Sequence, residues 1–135
     1  MLYQIDVDYG LENERNCQIK IEQFFNQKLN KLDYYNDFDF TNDNNNLLIE
    51  LKSRRCKITD YSDTMISISK INKAKKLIKN KNKKIDVYFF FYYIQNDLYY
   101  WKYDDIVLRV DNNCNYRGIR KPYTYIPTKL LTKIN

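Results

Sequence analysis

Asp39, Glu50 and Lys52 are the residues whose types and spacing could do chemistry in this chain. Phe38 and Phe40 alternate with Asp37, Asp39 and Thr41, while Leu47, Ile49 and Leu51 alternate with Glu50 and Lys52. A two-residue alternation of this kind reads as two half-buried strands. If Asp43 to Asn46 closes a hairpin, Asn42 faces Leu47, Phe40 faces Ile49 and Asp39 faces Glu50. That register gathers the apolar pairs on one face and sets the two carboxylates side by side on the other. Directly opposed residues lie about 5 Å apart at Cβ, where like charges repel. A divalent cation between them removes the conflict, and two hard oxygen ligands with open positions suit Mg²⁺ or Mn²⁺. Lys52, two residues past Glu50, points to the same face. An ammonium there can hold a water or meet a phosphate oxygen, so metal plus lysine is a workable recipe for phosphodiester hydrolysis. The bland alternative is a solvated strand face, because charged residues alternate on many strands.

The elements that must position these residues follow from periodicity. Glu14, Cys17, Ile21, Phe24, Phe25 and Leu29 recur at helical spacing and predict a helix over Leu11 to Leu32. Strands are expected over Tyr34 to Thr41 and Leu47 to Lys52, with an Asn- and Asp-rich turn between them. Ser53 to Asp63 reads as a polar loop. Met65 to Lys79 reads as a second helix, with Ile68, Ile71, Ala74 and Ile78 along one side and Lys73, Lys75, Lys76 and Lys79 on the other. Lys84 to Ile94 is a strongly β-prone run, and Leu98 to Tyr103 is its hairpin partner across Asn96-Asp97. A short helix is expected over Tyr103 to Val110, then an extended tail and a brief helix opened by Pro127 and Thr128. The order α-β-β-α-β-β predicts an α/β fold, a mixed central β-sheet flanked by helices. The length of 135 residues favours a single domain. Residues from about 111 to 135 read as a C-terminal appendage to it.

Composition narrows the chemistry. The chain has no histidine, which removes Ser-His-Asp and Cys-His triads and HExxH zinc sites. Cys17, Cys56 and Cys114 are far apart and odd in number, against a disulfide framework or a zinc knuckle and in favour of a reducing, intracellular compartment. Cys17 falls in the apolar helical stripe. The net charge of +6 suits nucleic acid or another anionic surface. A sequence crowded with Asn, Lys, Ile and Tyr is also what an AT-rich genome writes, so part of that charge needs no partner. The N-terminus has no signal-peptide pattern, and the most apolar stretch, Val87 to Ile94, is too short to span a bilayer.

The segment FDFTNDNNNLLIELKSRR resembles the Asp-(spacer)-Glu-x-Lys signature of the PD-(D/E)xK nuclease superfamily. Gly10 followed by Glu14-Arg15, and Lys52-Ser53-Arg54 after the motif, are similar to archaeal-type Holliday-junction resolvases and small phage or viral nucleases. The resemblance covers about residues 10 to 94. It implies a restriction-endonuclease-like core and a divalent-metal-dependent DNA endonuclease, Mg²⁺ or Mn²⁺ held by Asp39 and Glu50, and a catalytic role for Lys52. It also implies that Glu14 approaches the metal; an ordinary acid favouring the helix dipole is the competing reading, and both stay open. The motif's leading proline is absent, since Asn36-Asp37 precedes Phe38-Asp39, and Asp37 is a rival ligand. Relatives often carry Gln or Lys on the following helix, pointing back at the site. Lys70 is the candidate here, with a solvated helix lysine as its preferred reading. A homodimer follows from the resolvase resemblance alone.

Ser53, Arg54, Arg55 and Lys57 follow the motif and would flank a bound DNA backbone, supplying salt-dependent affinity. The helix lysines and Lys81, Lys83 and Lys84 could extend that footprint, against the ordinary reading of a solvated face. The aromatic run from Tyr88 to Tyr93, with Tyr99, Tyr100, Trp101 and Tyr103, reads as core packing rather than a base-stacking surface. Arg117, Arg120 and Lys121 with Tyr123 and Tyr125 are the better candidate for a mobile nucleic-acid contact. Two rivals remain beside the nuclease: a non-catalytic nucleic-acid-binding module on the same fold, and an interaction subunit whose charge reflects genome bias.

Overall fold

A computed structural model describes residues 2–116 and 118–134. It opens with helix α1 (Leu2–Phe25), then strands β1 (Leu29–Lys31), β2 (Phe40–Asn42), β3 (Leu47–Ser53) and β4 (Asp63–Ser67). Helix α2 (Ile68–Ile78) leads to β5 (Asp86–Tyr93), β6 (Asp97–Lys102) and β7 (Arg109–Asp111). The chain ends with β8 (Asn115–Tyr116), β9 (Ile119–Arg120), β10 (Tyr123–Pro127) and β11 (Thr132–Ile134). The main sheet runs β1-β2-β3-β5-β6-β11, a smaller one runs β4-β10-β7, and β8 pairs with β9. In the main sheet β3 and β5 are parallel and the other pairs antiparallel. A parallel pair needs a long crossover, and the stretch holding β4 and α2 supplies it. This is the expected α/β class: a mixed sheet between helices, compatible with a restriction-endonuclease-like core.

The two central strands are covered on both faces, which explains the unbroken apolar run of β5. Phe89, Phe90 and Phe91 are all fully buried. On one face Phe90, Leu47 and Ile49 pack with Cys17 and Ile21 of α1. On the other, Val87, Phe89 and Phe91 pack with Ile66 of β4, Ala74 of α2, Trp101 and Ile126 of β10. Burying each such side chain is worth roughly 1.5–3 kcal/mol, so these two clusters fix the sheet between its layers. The aromatic run is core.

Four element boundaries differ from expectation, each for a local reason. The first helix starts at Leu2 and stops at Phe25, because Asn26 takes a left-handed φ of +51°, a common way to end a helix; Leu29 then belongs to a strand. The strand expected from Tyr34 shrinks to Phe40–Asn42, since residues 33–38 form turns stabilised by Asp33 and Asn36 side chains. Met65 to Ser67 are strand rather than helix, because β10 pairs with them from about sixty positions along the chain (Tyr125↔Met65). The helix expected over Tyr103 to Val110 does not form; Asp105 has φ +60° and the chain goes on into β7.

Candidate active site

The hairpin of β2 and β3 has the anticipated register, with Phe40 opposite Ile49 and Thr41 opposite Leu48. Asp39 stands just before β2. Its N–H donates to the Ile49 carbonyl (2.9 Å), and its Oδ2 accepts the Leu51 N–H (2.7 Å). A side-chain oxygen thus takes a main-chain donor of β3, which locks the Asp39 carboxyl against that strand.

Glu50 lies on the β3 face beneath α2 and is 3% exposed, so it is no solvated strand face. Burial first, then a hydrogen bond and the charge of Asp39, push its carboxyl up to about 8, with Lys52 and Lys70 pulling it down. Desolvation and a like-charged neighbour act in the same direction here. Lys70, in the first turn of α2, places Nζ 3.0 Å from Glu50 Oε2 and also donates to the Asp37 carbonyl. The ammonium approaches Glu50 off the direction a hydrogen bond needs, so the buried Oε2 gains a counter-charge without a hydrogen-bond partner. Glu14 Oε1 is in the same condition, 3.2 Å from Lys31 Nζ and without a hydrogen bond.

A cleft of about 870 Å³ joins these groups: Glu14, Asp39, Glu50, Lys52 and Lys70 all line it, with Lys31 and Tyr34 at its wall. Buried oxygens that no donor satisfies are rare in folded proteins and ask for an explanation. An unsatisfied carboxylate oxygen beside a second carboxyl fits a hard cation. Among the described residues no three of His, Cys, Asp and Glu converge as a ready-made metal cage. Two carboxyls, Asp39 and Glu50, come together at the cleft, and Mg²⁺ is commonly held by one or two carboxylates with water and phosphate completing its shell.

The other anticipated residues separate into two groups. Asp37 is 57% exposed at its side chain and pairs with Lys73 (3.8 Å), outside the cleft. Ser53 closes β3, where its hydroxyl accepts from Asn13 Nδ2 (3.5 Å). Arg54 turns into the fold: Nε donates to Thr64 Oγ1 (3.0 Å) and a terminal nitrogen to the Met65 carbonyl (2.6 Å), tying the end of β3 to β4. Arg55 and Lys57 are exposed beside it. Of the tail candidates, Tyr123 is buried and Tyr125 lies under the Arg109 guanidinium (3.9 Å), while Arg117 lies outside the described residues. Lys70 has its side chain only 23% exposed, not solvated as its sequence favoured. Lys31 and Tyr34 were not foreseen in the cleft; the Tyr34-Tyr35 pair read as the start of a strand. The Cys17 thiol is buried, and that burial pushes it up to about 12.

No helix among the described residues is long and apolar enough to cross a membrane. A family model described as "Phage putative PDDEXK endonuclease" matches residues 3–111. Comparison with curated proteins and with solved structures gave no match.

Proposed function

Because the chain belongs to this family of phage PD-(D/E)xK endonucleases, we propose that it hydrolyses DNA phosphodiester bonds in the Asp39–Glu50–Lys52 cleft with the help of a divalent cation. One observation carries the reading: Glu50 is buried against Asp39, with an oxygen that has Lys70 as a counter-charge at 3.0 Å but no hydrogen bond. A purely structural residue at such a place would be apolar, since burying a carboxyl beside a second one costs stability. Members of the wider superfamily generally use divalent metals. A bound cation supplies Lewis acidity toward the phosphate and a lowered pKa for nearby water.

The chain's own residues do the rest. Asp39, fixed by the Leu51 N–H, and Glu50 offer the carboxylate oxygens. The Lys52 ammonium donates to the attacking water or to a non-bridging phosphate oxygen, where charge builds as attack proceeds. The water oxygen bonds to phosphorus and gives up a proton to solvent, the ester P–O bond breaks, and the leaving alkoxide takes up a proton from solvent, so one water is consumed and a phosphate monoester and an alcohol are released. Lys70 lies against Glu50 and favours its ionised form. Glu14 is the third carboxylate available, and Arg55 and Lys57, exposed on the loop after β3, would contact the DNA backbone. Within the family, a branched DNA is the substrate we favour, from the likeness of Gly10, Glu14-Arg15 and Lys52-Ser53-Arg54 to junction resolvases. A homodimer acting on two symmetric strands belongs to that same proposal, as does a single catalytic domain over residues 1–135.

The test is cleavage of labelled plasmid, duplex, flap and four-way-junction DNA with Mg²⁺, with Mn²⁺ and with EDTA, beside Glu50→Ala and Lys52→Ala. Cutting by wild type alone, and only with metal, is the expected result. No cutting of any substrate, with wild type and variants binding DNA equally, would turn the reading to a non-catalytic DNA-binding module.

A further inference from the structure

The turns between Leu32 and Phe38 carry two tyrosines that packing does not account for. Tyr34 and Tyr35 are each 93% exposed, and their rings meet edge to face with centroids 5.5 Å apart. Leaving two large rings in water forfeits the stabilisation their burial would bring. Exposed apolar surface gathered in one place is a mark of a binding surface.

The backbone beneath the rings is built to hold them outward. Tyr35 N–H donates to Asp33 Oδ1 (3.1 Å), Asn36 N–H to the Asp33 carbonyl (3.1 Å), and Phe38 N–H to Asn36 Oδ1 (3.2 Å). Buried Phe38 anchors one end of the segment, and Lys70 pins the Asp37 carbonyl. Tyr34 also lines the cleft that holds Asp39, Glu50 and Lys52. Lys31 and Lys73 stand beside the segment, both about half exposed at the side chain. Rings next to a cleft, flanked by cations, match a strand of nucleic acid: the lysines follow its phosphates and the rings take its bases.

We propose that Tyr34 and Tyr35 form a stacking platform for an unpaired base beside the phosphate being cut, so that the preferred substrate is DNA whose strands part at the cleavage site. This rests on the nuclease reading above. Bases inside a continuous duplex have both faces covered by their neighbours, whereas an unpaired or terminal base presents a face to a ring. Stacking of this kind tolerates any sequence, so the platform selects DNA by shape.

The experiment measures binding in a Glu50→Gln background, which retains the cleft and does not cut. Three DNAs of one sequence are compared: a continuous duplex, the same duplex opened into a fork, and a single strand, the last two with 2-aminopurine in an unpaired segment. Adding Tyr34→Ala and Tyr35→Ala should weaken fork and single-strand binding by about five- to a hundredfold, the range expected for losing one stacked base. Duplex affinity should stay within about twofold, and the quenching of 2-aminopurine should disappear; Tyr34→Phe with Tyr35→Phe should keep both. Equal loss on all three DNAs, or no loss on any, overturns the platform. Unchanged DNA affinity with a changed sedimentation coefficient would overturn it too, and assign the rings to a second copy of the chain. Failure of wild type and Glu50→Gln alike to bind or cut any DNA would remove the nuclease reading itself, whereas normal binding with indifferent tyrosines removes the platform alone.

Discussion

Lys70 Nζ lies 3.0 Å from Glu50 Oε2, joining the first turn of α2 to the middle of β3. The pKa of Glu50 is therefore a balance, raised by burial and Asp39 and lowered by Lys52 and Lys70. Lys70→Met removes one lowering charge, so Glu50 ionises at higher pH still. If ionised Glu50 is what the reaction needs, the acid limb of the pH–rate profile moves upward in pH, and Lys70→Arg leaves it nearly in place. Cleavage rates at several pH values, at one fixed metal concentration below saturation, measure this. An unmoved limb would mean that Lys70 does not set the acidity of the centre.

The same balance makes stability depend on pH. In the cation-free protein the Glu50 carboxyl is raised from 4.5 to about 8. Between those values the folded chain keeps a proton that the unfolded chain has lost, so the native state binds more protons. The contribution is complete below the unfolded value and is lost as pH rises toward the folded one. Wild type in EDTA should thus lose stability from about pH 5 to about pH 8, and Glu50→Gln, of similar shape and uncharged, should flatten that slope and be the more stable protein at its upper end. Urea titrations across the range test it; a parallel slope in the two proteins would place the pH dependence elsewhere.

How much of this was legible depended on how local the cause was. The Phe40–Ile49 register needed only alternation and an Asn-rich turn, both contained in one stretch of chain. Asp39 beside Glu50 followed from it. The identity of Met65 to Ser67 did not, because those residues become a strand only by pairing with Tyr123 to Tyr125. Reading them as helix shifted the start of α2 and hid the inward turn of Lys70. Ser67 at the N-cap position was the available signal, since serine is favoured there, although its side chain makes no capping bond. Arg54 looked like a DNA contact for the same reason: its partners, Thr64 and Met65, lie on the strand that was not foreseen.

Arg54 and Lys57 should accordingly separate in experiment. Arg54→Ala removes charged hydrogen bonds to Thr64 Oγ1 and the Met65 carbonyl. Such bonds are worth about 1.5–3 kcal/mol each, so unfolding should become easier by about that amount or more. Lys57→Ala, on the exposed loop, should leave stability within about 0.5 kcal/mol and reduce the salt dependence of DNA binding by about one phosphate contact. Urea midpoints and binding at several salt concentrations distinguish the two. A stable Arg54→Ala protein with a lowered salt slope would return Arg54 to the DNA surface.

Cation binding can be read without any cleavage. A ligand that binds only the folded chain stabilises it by RT ln(1 + [L]/Kd), about 2.7 kcal/mol at a hundred times Kd. Mg²⁺ should therefore raise the Tm of wild type, and raise it more as pH climbs toward about 8, because the proton on Glu50 competes with the cation for the same oxygens. Asp39→Asn keeps an oxygen able to accept the Leu51 N–H, so the end of β2 should stay in place while the Mg²⁺ response is lost. Glu50→Gln should lose the response as well. These two variants isolate the carboxylates from the fold that carries them: if both still answer to Mg²⁺ as wild type does, the cation sits somewhere other than the Asp39–Glu50 pair, and the unsatisfied oxygen of Glu50 needs another explanation.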